Sequence, residues 1–148
     1  MKYNLLIKKI ETALPKNSFS VESLKKKNPN WNIEKIISKT GIEIIWYTTK
    51  SETALDLAIK ASKKILKNTN KKNIDTLIYV TQSPEYFLPT NACIIQNKIG
   101  LQKNVKAFDI NLGCSGFVYA LFTASSFIQN KMSKNILIIC SDTYTKYI

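Results

Sequence analysis

Val105-Lys106-Ala107-Phe108-Asp109-Ile110-Asn111-Leu112-Gly113-Cys114-Ser115-Gly116-Phe117-Val118-Tyr119-Ala120-Leu121 is the stretch around which the rest of the chain arranges itself. Its first residues read as a short strand ending near Ile110. Gly113 and Gly116 mark a tight turn, and from Ser115 an apolar, alanine-containing run reads as a helix to about Gln129. Cys114 thus falls where a strand becomes a helix, the geometry that lifts a side chain clear of a sheet in a nucleophile elbow. A helix start carries free N–H groups and the positive end of the macrodipole, which favour an anion such as a thiolate. The neighbouring glycines lack a β-carbon, which leaves room for a substrate carbonyl to approach the backbone. A free cysteine has a second reading, as a small buried hydrophobe.

The flanking elements extend the pattern. Thr76–Val80 is apolar after its first residue, as a strand buried on both faces would be. Asn135–Cys140 is a similar run, and Cys140 at its end is expected to be buried and inert. Thr90 or Asn91 is expected to cap a helix ending at Gly100. Cys93 on that helix suits core or interface packing better than chemistry. Ser51–Lys67 is an amphipathic helix with Ala54, Ala58, Ala61 and Ile65 on one face. Ile33–Ser38 is a shorter helix stopped by Gly41. Further upstream, Asn4–Ala13 reads as a strand, Ser20 as the cap of a short helix through Leu24, and Glu43–Thr48 as extended. Gln82–Pro89 is a loop. Alternating strands and helices predict an α/β layer with a mostly parallel central sheet and helices on both faces. The helix beginning near Phe117 is apolar nearly all round, which predicts a buried central helix covered on both sides.

Composition narrows the function. The chain has 148 residues, enough for one core-bearing domain, and a formal charge of +12. All 22 basic residues are lysines. Arginine supplies most bidentate phosphate and guanine contacts, so its absence argues against nucleic acid as a partner and for solvated lysine faces. There is no histidine, and the three cysteines show no C-x-x-C pairing, so no metal site is expected. An odd cysteine count fits a reducing, cytoplasmic setting. The start of the chain has too short an apolar core for a secretory signal, and the run from Phe117 to Ile128 is too short to span a membrane.

Phe108 to Leu121 resembles the active-site segment of the β-ketoacyl-acyl-carrier-protein synthase III family, within the thiolase-like superfamily. Lys39-Thr40-Gly41-Ile42, Asp75-Thr76-Leu77-Ile78-Tyr79-Val80-Thr81 and Leu88-Pro89-Thr90-Asn91-Ala92-Cys93 match in the same order. The likeness runs from about Ile33 to the end of the chain. Thiolase-like proteins are built of two similar halves whose central helices pack together, so the resemblance implies that residues 1–148 form the N-terminal, Cys-bearing half, with the second half absent.

The resemblance further implies that Cys114 takes an acyl group from a coenzyme A thioester, with no permanently bound cofactor. Malonyl-acyl carrier protein would then lose carbon dioxide and its carbanion attack the acyl-cysteine. The turn at Gly113 and Gly116 would form the oxyanion site, with the Cys114 N–H as one donor. The family draws a histidine and an asparagine from the second half for decarboxylation, so this chain alone is expected not to condense. Acyl carrier protein, acyl-CoA and a second copy in a homodimer are the implied partners. Lys39 and Lys146 stand where the family commonly has arginines associated with phosphates; the other reading is two solvated lysines. Leu88 matches a position that reaches across the dimer interface towards the neighbour's acyl pocket, or else fills a local core. Two alternatives stay open: a thiolase-like acyltransferase using an oxygen, nitrogen or thiol acceptor, and a non-catalytic binding half.

Overall fold

The computed structural model describes residues 5–147. Its centre is a parallel three-stranded sheet in the order β4-β3-β5, made of β3 (Thr76–Val80), β4 (Lys106–Ile110) and β5 (Ile136–Cys140). Ile78 lies between Phe108 and Ile138, so the strands start and stop together. The middle strand is buried at every residue, as its continuous apolar run requires.

Alternation along β3 sorts the core into two layers. Leu77 and Tyr79 pack with Leu55, Ala58 and Leu66 of α3 (Ala54–Leu66) and with Ala92 and Ile95 of α4 (Asn91–Lys98). Ile78 and Val80 face the other way, onto Ala120 and Ala124 of α5 (Gly116–Gln129). Helices therefore cover both faces of the sheet, as the alternation of elements predicts. A second, antiparallel sheet pairs β1 (Asn17–Ser20) with β2 (Ile44–Tyr47). Between them lie a 3-10 turn at Val21–Ser23, α1 (Leu24–Lys27) and α2 (Ile33–Thr40). Gly41 closes α2 in the left-handed region at φ 68°, which glycine adopts without strain.

Several expectations change. The strand over Asn4–Ala13 does not form among the described residues; Leu6, Ile7 and Ile10 are exposed there. A strand needs a ladder to satisfy its backbone, and apolar alternation alone supplies none; Asn4 itself lies outside the described residues. Helix α3 begins at Ala54 rather than Ser51, because Thr53 and Asp56 form a reciprocal capping box. Its buried side accordingly includes Leu55, Leu57, Ser62 and Leu66 beside Ala54 and Ala58, while Ala61 and Ile65 are half-buried.

The central helix is covered on one side only. Gly116, Ala120, Ala124 and Ser125 are buried, whereas Phe117, Val118, Tyr119 and Phe122 are open, Phe122 at 69% exposure. Small residues let α5 lie close on the sheet; Phe117, Val118, Tyr119 and Phe122 are left open, while Phe127 packs on Phe108 of β4. Among the described residues no helix is long and apolar enough to cross a membrane.

Candidate active site

Because the three strands run parallel, the segments that follow them gather at one end of the sheet. These are the loop after β3 (residues 82–89), the turn after β4 (111–115) and the segment after β5 (141–147). Cys114 stands at this end, exposed, two residues before α5 begins. The Gly116 N–H donates to the Gly113 carbonyl at 2.9 Å, which closes the turn that carries the sulfur, and the Tyr119 N–H donates to the Ser115 carbonyl at 3.1 Å. Ser115 offers no side-chain cap to the helix. Among the described residues the Cys114 and Ser115 N–H groups donate to no backbone carbonyl, so the turn presents unused donors beside the thiol.

Gly116 is required by packing rather than by a left-handed backbone, whereas the neighbour at Gly113 is the end of the exposed Gln82 side chain. A β-carbon on Gly116 would come inside 3.0 Å of Val80 Cγ1 and lie 3.2 Å from Leu112 Cβ. One on Gly113 would fall 2.8 Å from the Gln82 side-chain oxygen. The space at Gly116 is thus filled by the protein's own side chains, and that at Gly113 borders the Gln82 carboxamide.

Two carboxylates that sequence reasoning missed order this end of the molecule. Asp109, four residues along β4, accepts from the Asn91 N–H at 2.8 Å and the Ala92 N–H at 2.7 Å, and so caps α4. Thr90 holds the N-cap position but makes no side-chain cap bond. Fully buried Asn91 also donates to Asp109 at 3.0 Å and to the Tyr86 carbonyl at 3.0 Å, and accepts from the Glu85 N–H at 3.2 Å. The loop bearing Tyr86, Phe87 and Leu88 is fastened to β4 by this chain of bonds. Asp142, beyond β5, accepts from Thr81 Oγ1, the Gln82 N–H and Ser83 Oγ, each at 2.9 Å. A charged residue inside or just past an apolar strand was the available signal in both cases.

The remaining expected site residues are dispersed. Leu88 is 84% exposed and fills no local core. It lies at the same end of the sheet as Cys114. Lys146 is not a free cation: its ammonium donates to the carbonyls of Lys50 (3.2 Å) and Glu52, tying the segment after β5 to the approach to α3. Lys39 lies exposed in the last turn of α2, outside the three-stranded sheet. Cys93 is exposed rather than packed in the core, with Thr90 Oγ1 at 3.3 Å from its sulfur. Cys140 is exposed too, contrary to the expectation of burial, because it ends an edge strand with nothing beyond it. Partial burial, then the Asp142 carboxylate, pushes its thiol above the ordinary range. No group of three or more His, Cys, Asp or Glu side chains among the described residues could hold a metal ion.

Comparison with known proteins gives a consistent result. A sequence profile of 3-oxoacyl-[acyl-carrier-protein] synthase III matches residues 108–148. A β-ketoacyl-[acyl-carrier-protein] synthase III of Clostridium perfringens is 45% identical over 115 residues, which is 76% of this chain and 35% of that protein. Its counterpart in Clostridium novyi is 37% identical over 151 aligned positions, 99% of this chain and 45% of the relative. A crystal structure of a 3-oxoacyl-(acyl-carrier-protein) synthase III superposes with a TM-score of 0.84 at 36% identity, covering 93% of this chain and 42% of that one. The synthase III of Aquifex aeolicus gives 0.79 at 34% identity, over 92% and 44% of the two chains. The chain thus spans less than half the length of the relatives it matches.

Proposed function

We propose, from this likeness to β-ketoacyl-[acyl-carrier-protein] synthase III, that the chain is the Cys-bearing, N-terminal half of a condensing enzyme of fatty acid biosynthesis, with Cys114 as its nucleophile. The observation that carries the reading is the exposed sulfur at the junction of β4 and α5, beside backbone N–H groups with no backbone partner. Cys114 attacks the carbonyl carbon of a coenzyme A thioester. The carbonyl oxygen takes the negative charge, held by the free N–H groups of the turn, with the Cys114 N–H as one donor. The C–S bond to coenzyme A then breaks, coenzyme A leaves as a thiol, and an acyl-cysteine remains. Malonyl-acyl carrier protein supplies the second substrate; loss of carbon dioxide generates a carbanion that attacks the acyl-cysteine carbonyl, the C–S bond to Cys114 breaks, and the Cys114 thiolate is released.

This chain has no histidine to assist that decarboxylation. Its activity alone therefore ends at acylation of Cys114. The second half supplies the missing groups and covers the apolar side of α5. Leu88 contributes to the acyl pocket of a neighbouring copy in a cytoplasmic homodimer. Lys39 contributes positive charge towards coenzyme A or carrier-protein phosphates, as a point charge rather than a fork. Lys146 serves chiefly as a tether for the segment after β5, given its two carbonyl partners.

Intact-mass spectrometry after incubation with acetyl-CoA tests the reading. One acetyl group is expected on the protein and none on Cys114→Ala. Equal labelling of both would refute Cys114 as acceptor. Joined with the remaining half, the protein should release carbon dioxide from malonyl-acyl carrier protein. Acyl transfer to an oxygen, nitrogen or thiol acceptor without that release would favour the acyltransferase alternative, and no acylation at all a binding half.

A further inference from the structure

The turn that carries Cys114 is flanked by two side chains at and just beyond the end of β3. Val80 ends β3, and Gln82 lies two residues beyond it. Val80 occupies the space beside Gly116, and the Gln82 carboxamide occupies the space beside Gly113.

This strand end is itself clamped. The Thr81 N–H donates to the Ile110 carbonyl at 3.2 Å, joining it to β4, and the Ser141 N–H donates to the Val80 carbonyl at 3.2 Å, joining it to β5. One carboxylate oxygen of Asp142 then collects Thr81 Oγ1, the Gln82 N–H and Ser83 Oγ, all at 2.9 Å. Charge-assisted bonds of this kind are stronger and more directional than neutral ones. A second oxygen, the Thr81 hydroxyl, also accepts from the Ser83 N–H at 3.0 Å. Residues 81–83 therefore have little freedom, although Gln82 itself is exposed.

We infer that Asp142 and Gln82 are positioning residues for Cys114: the carboxylate fixes the chain at Gln82, and the Gln82 carboxamide seats Gly113 so that the thiol is held at the start of α5. Neither touches the sulfur by any contact observed here, and both act through the turn. The inference deepens the reading of Cys114 as the reactive thiol and rests on it for its consequence. Sites are held to catalytic tolerance by such supporting groups.

Gln82→Ala separates positioning from mere stability. It removes only an exposed carboxamide and leaves all three Asp142 bonds in place, because the bond at residue 82 comes from the backbone. Alkylation by iodoacetamide is followed by peptide mass spectrometry, with exposed Cys93 as the internal reference. Gln82→Ala and Asp142→Ala should each slow Cys114 severalfold, because the sulfur loses its fixed place at the start of α5, where a thiolate is favoured, with the Cys93 rate unchanged. Asp142→Asn, which keeps an accepting oxygen, should restore part of the rate. The Gly113 and Gly116 amide resonances should move in Gln82→Ala while those of α3 stay in place. A Cys114 rate within twofold of the parent in Gln82→Ala, with both glycine resonances unmoved, overturns the proposal whether or not Asp142→Ala folds. Should Cys114 in the parent react no faster than Cys93, the functional reading fails instead, and the glycine resonances alone decide the positioning role.

Discussion

Replacing Gly116 by alanine puts a methyl group where the structure has least room for one. In most helices that exchange is favourable, by up to about 1 kcal/mol, because glycine loses more backbone freedom on folding. Here the new carbon would sit inside 3.0 Å of Val80 Cγ1 and 3.2 Å from Leu112 Cβ. Neither neighbour yields easily. Val80 is branched at Cβ, 3% exposed, and set in the middle strand, and the Leu112 atom is fixed to its own backbone. Overpacking of a rigid core costs about 1–3 kcal/mol, and stiff neighbours place this site in the upper part of that range. After the helix gain is subtracted, a net loss of about 1–2 kcal/mol remains. For a chain of this size that lowers the melting temperature by about 2–8 °C. Calorimetry of Gly116→Ala measures it, and the double variant with Val80→Ala should recover about 1 kcal/mol or more of coupling. A melting temperature equal to or above the parent's would refute the packing argument. It would mean that the glycine is there for some reason other than Val80.

Other outcomes follow from the same geometry. Asp109→Ala leaves two backbone N–H groups at the start of α4 without an acceptor and should cost about 1–3 kcal/mol, read from the urea midpoint; Asp109→Asn should lose less. Burial raises the Tyr79 hydroxyl, and partial burial raises the Cys140 thiol, above their ordinary values of 10.0 and 9.0. The folded state then holds these protons more tightly than the unfolded one. The associated stability is present at neutral pH and is lost as pH rises past those ordinary values towards the folded ones. Denaturation midpoints should fall above about pH 9, and Tyr79→Phe should flatten the decline; an identical slope in that variant would count against it. Phe122→Lys, on the open side of α5, should reduce binding of an apolar-surface dye without lowering the melting temperature. Unchanged dye binding would show that this side is not the apolar surface the dye detects.

The sequence disclosed the parts of this molecule whose cause is local. Thr76–Val80 reads as a buried strand because sheet burial on both faces leaves no polar position. Gly41 reads as a helix stop because one residue needs a positive φ. Cys114 at a strand–helix junction is visible from two glycines and a change of hydrophobic period. The true start of α3 was legible in the Thr53–Asp56 spacing, yet Ser51 competed with it. Causes that act over distance left no such trace. Gln82 lies thirty-one positions from Gly113 and sixty from Asp142, and nothing in a single sequence pairs them. Asp109 looks like a charge misplaced in an apolar strand until α4 is seen to start on it. The resemblance placed Lys146 among phosphate contacts, whereas its ammonium is engaged by carbonyls ninety-four and ninety-six residues earlier. The expected strand before Ala13 failed for the converse reason: alternation is a local property, and pairing is not.

Among the described residues, both borders of the central sheet, β4 and β5, carry a hydrogen-bonded neighbour on one flank only. Five residues of β5, Ile136 to Cys140, include no charge and no proline to discourage a newcomer. Growth of the sheet along either border would leave the clamp at Val80–Ser83 in place, since its bonds to Ile110, Ser141 and Asp142 are made at the ends of the strands rather than along their outer edges. The setting of Cys114 is for that reason separable from the extent of the sheet. Material can be added at the margins of this fold, in a longer polypeptide or an assembly, without rebuilding its centre.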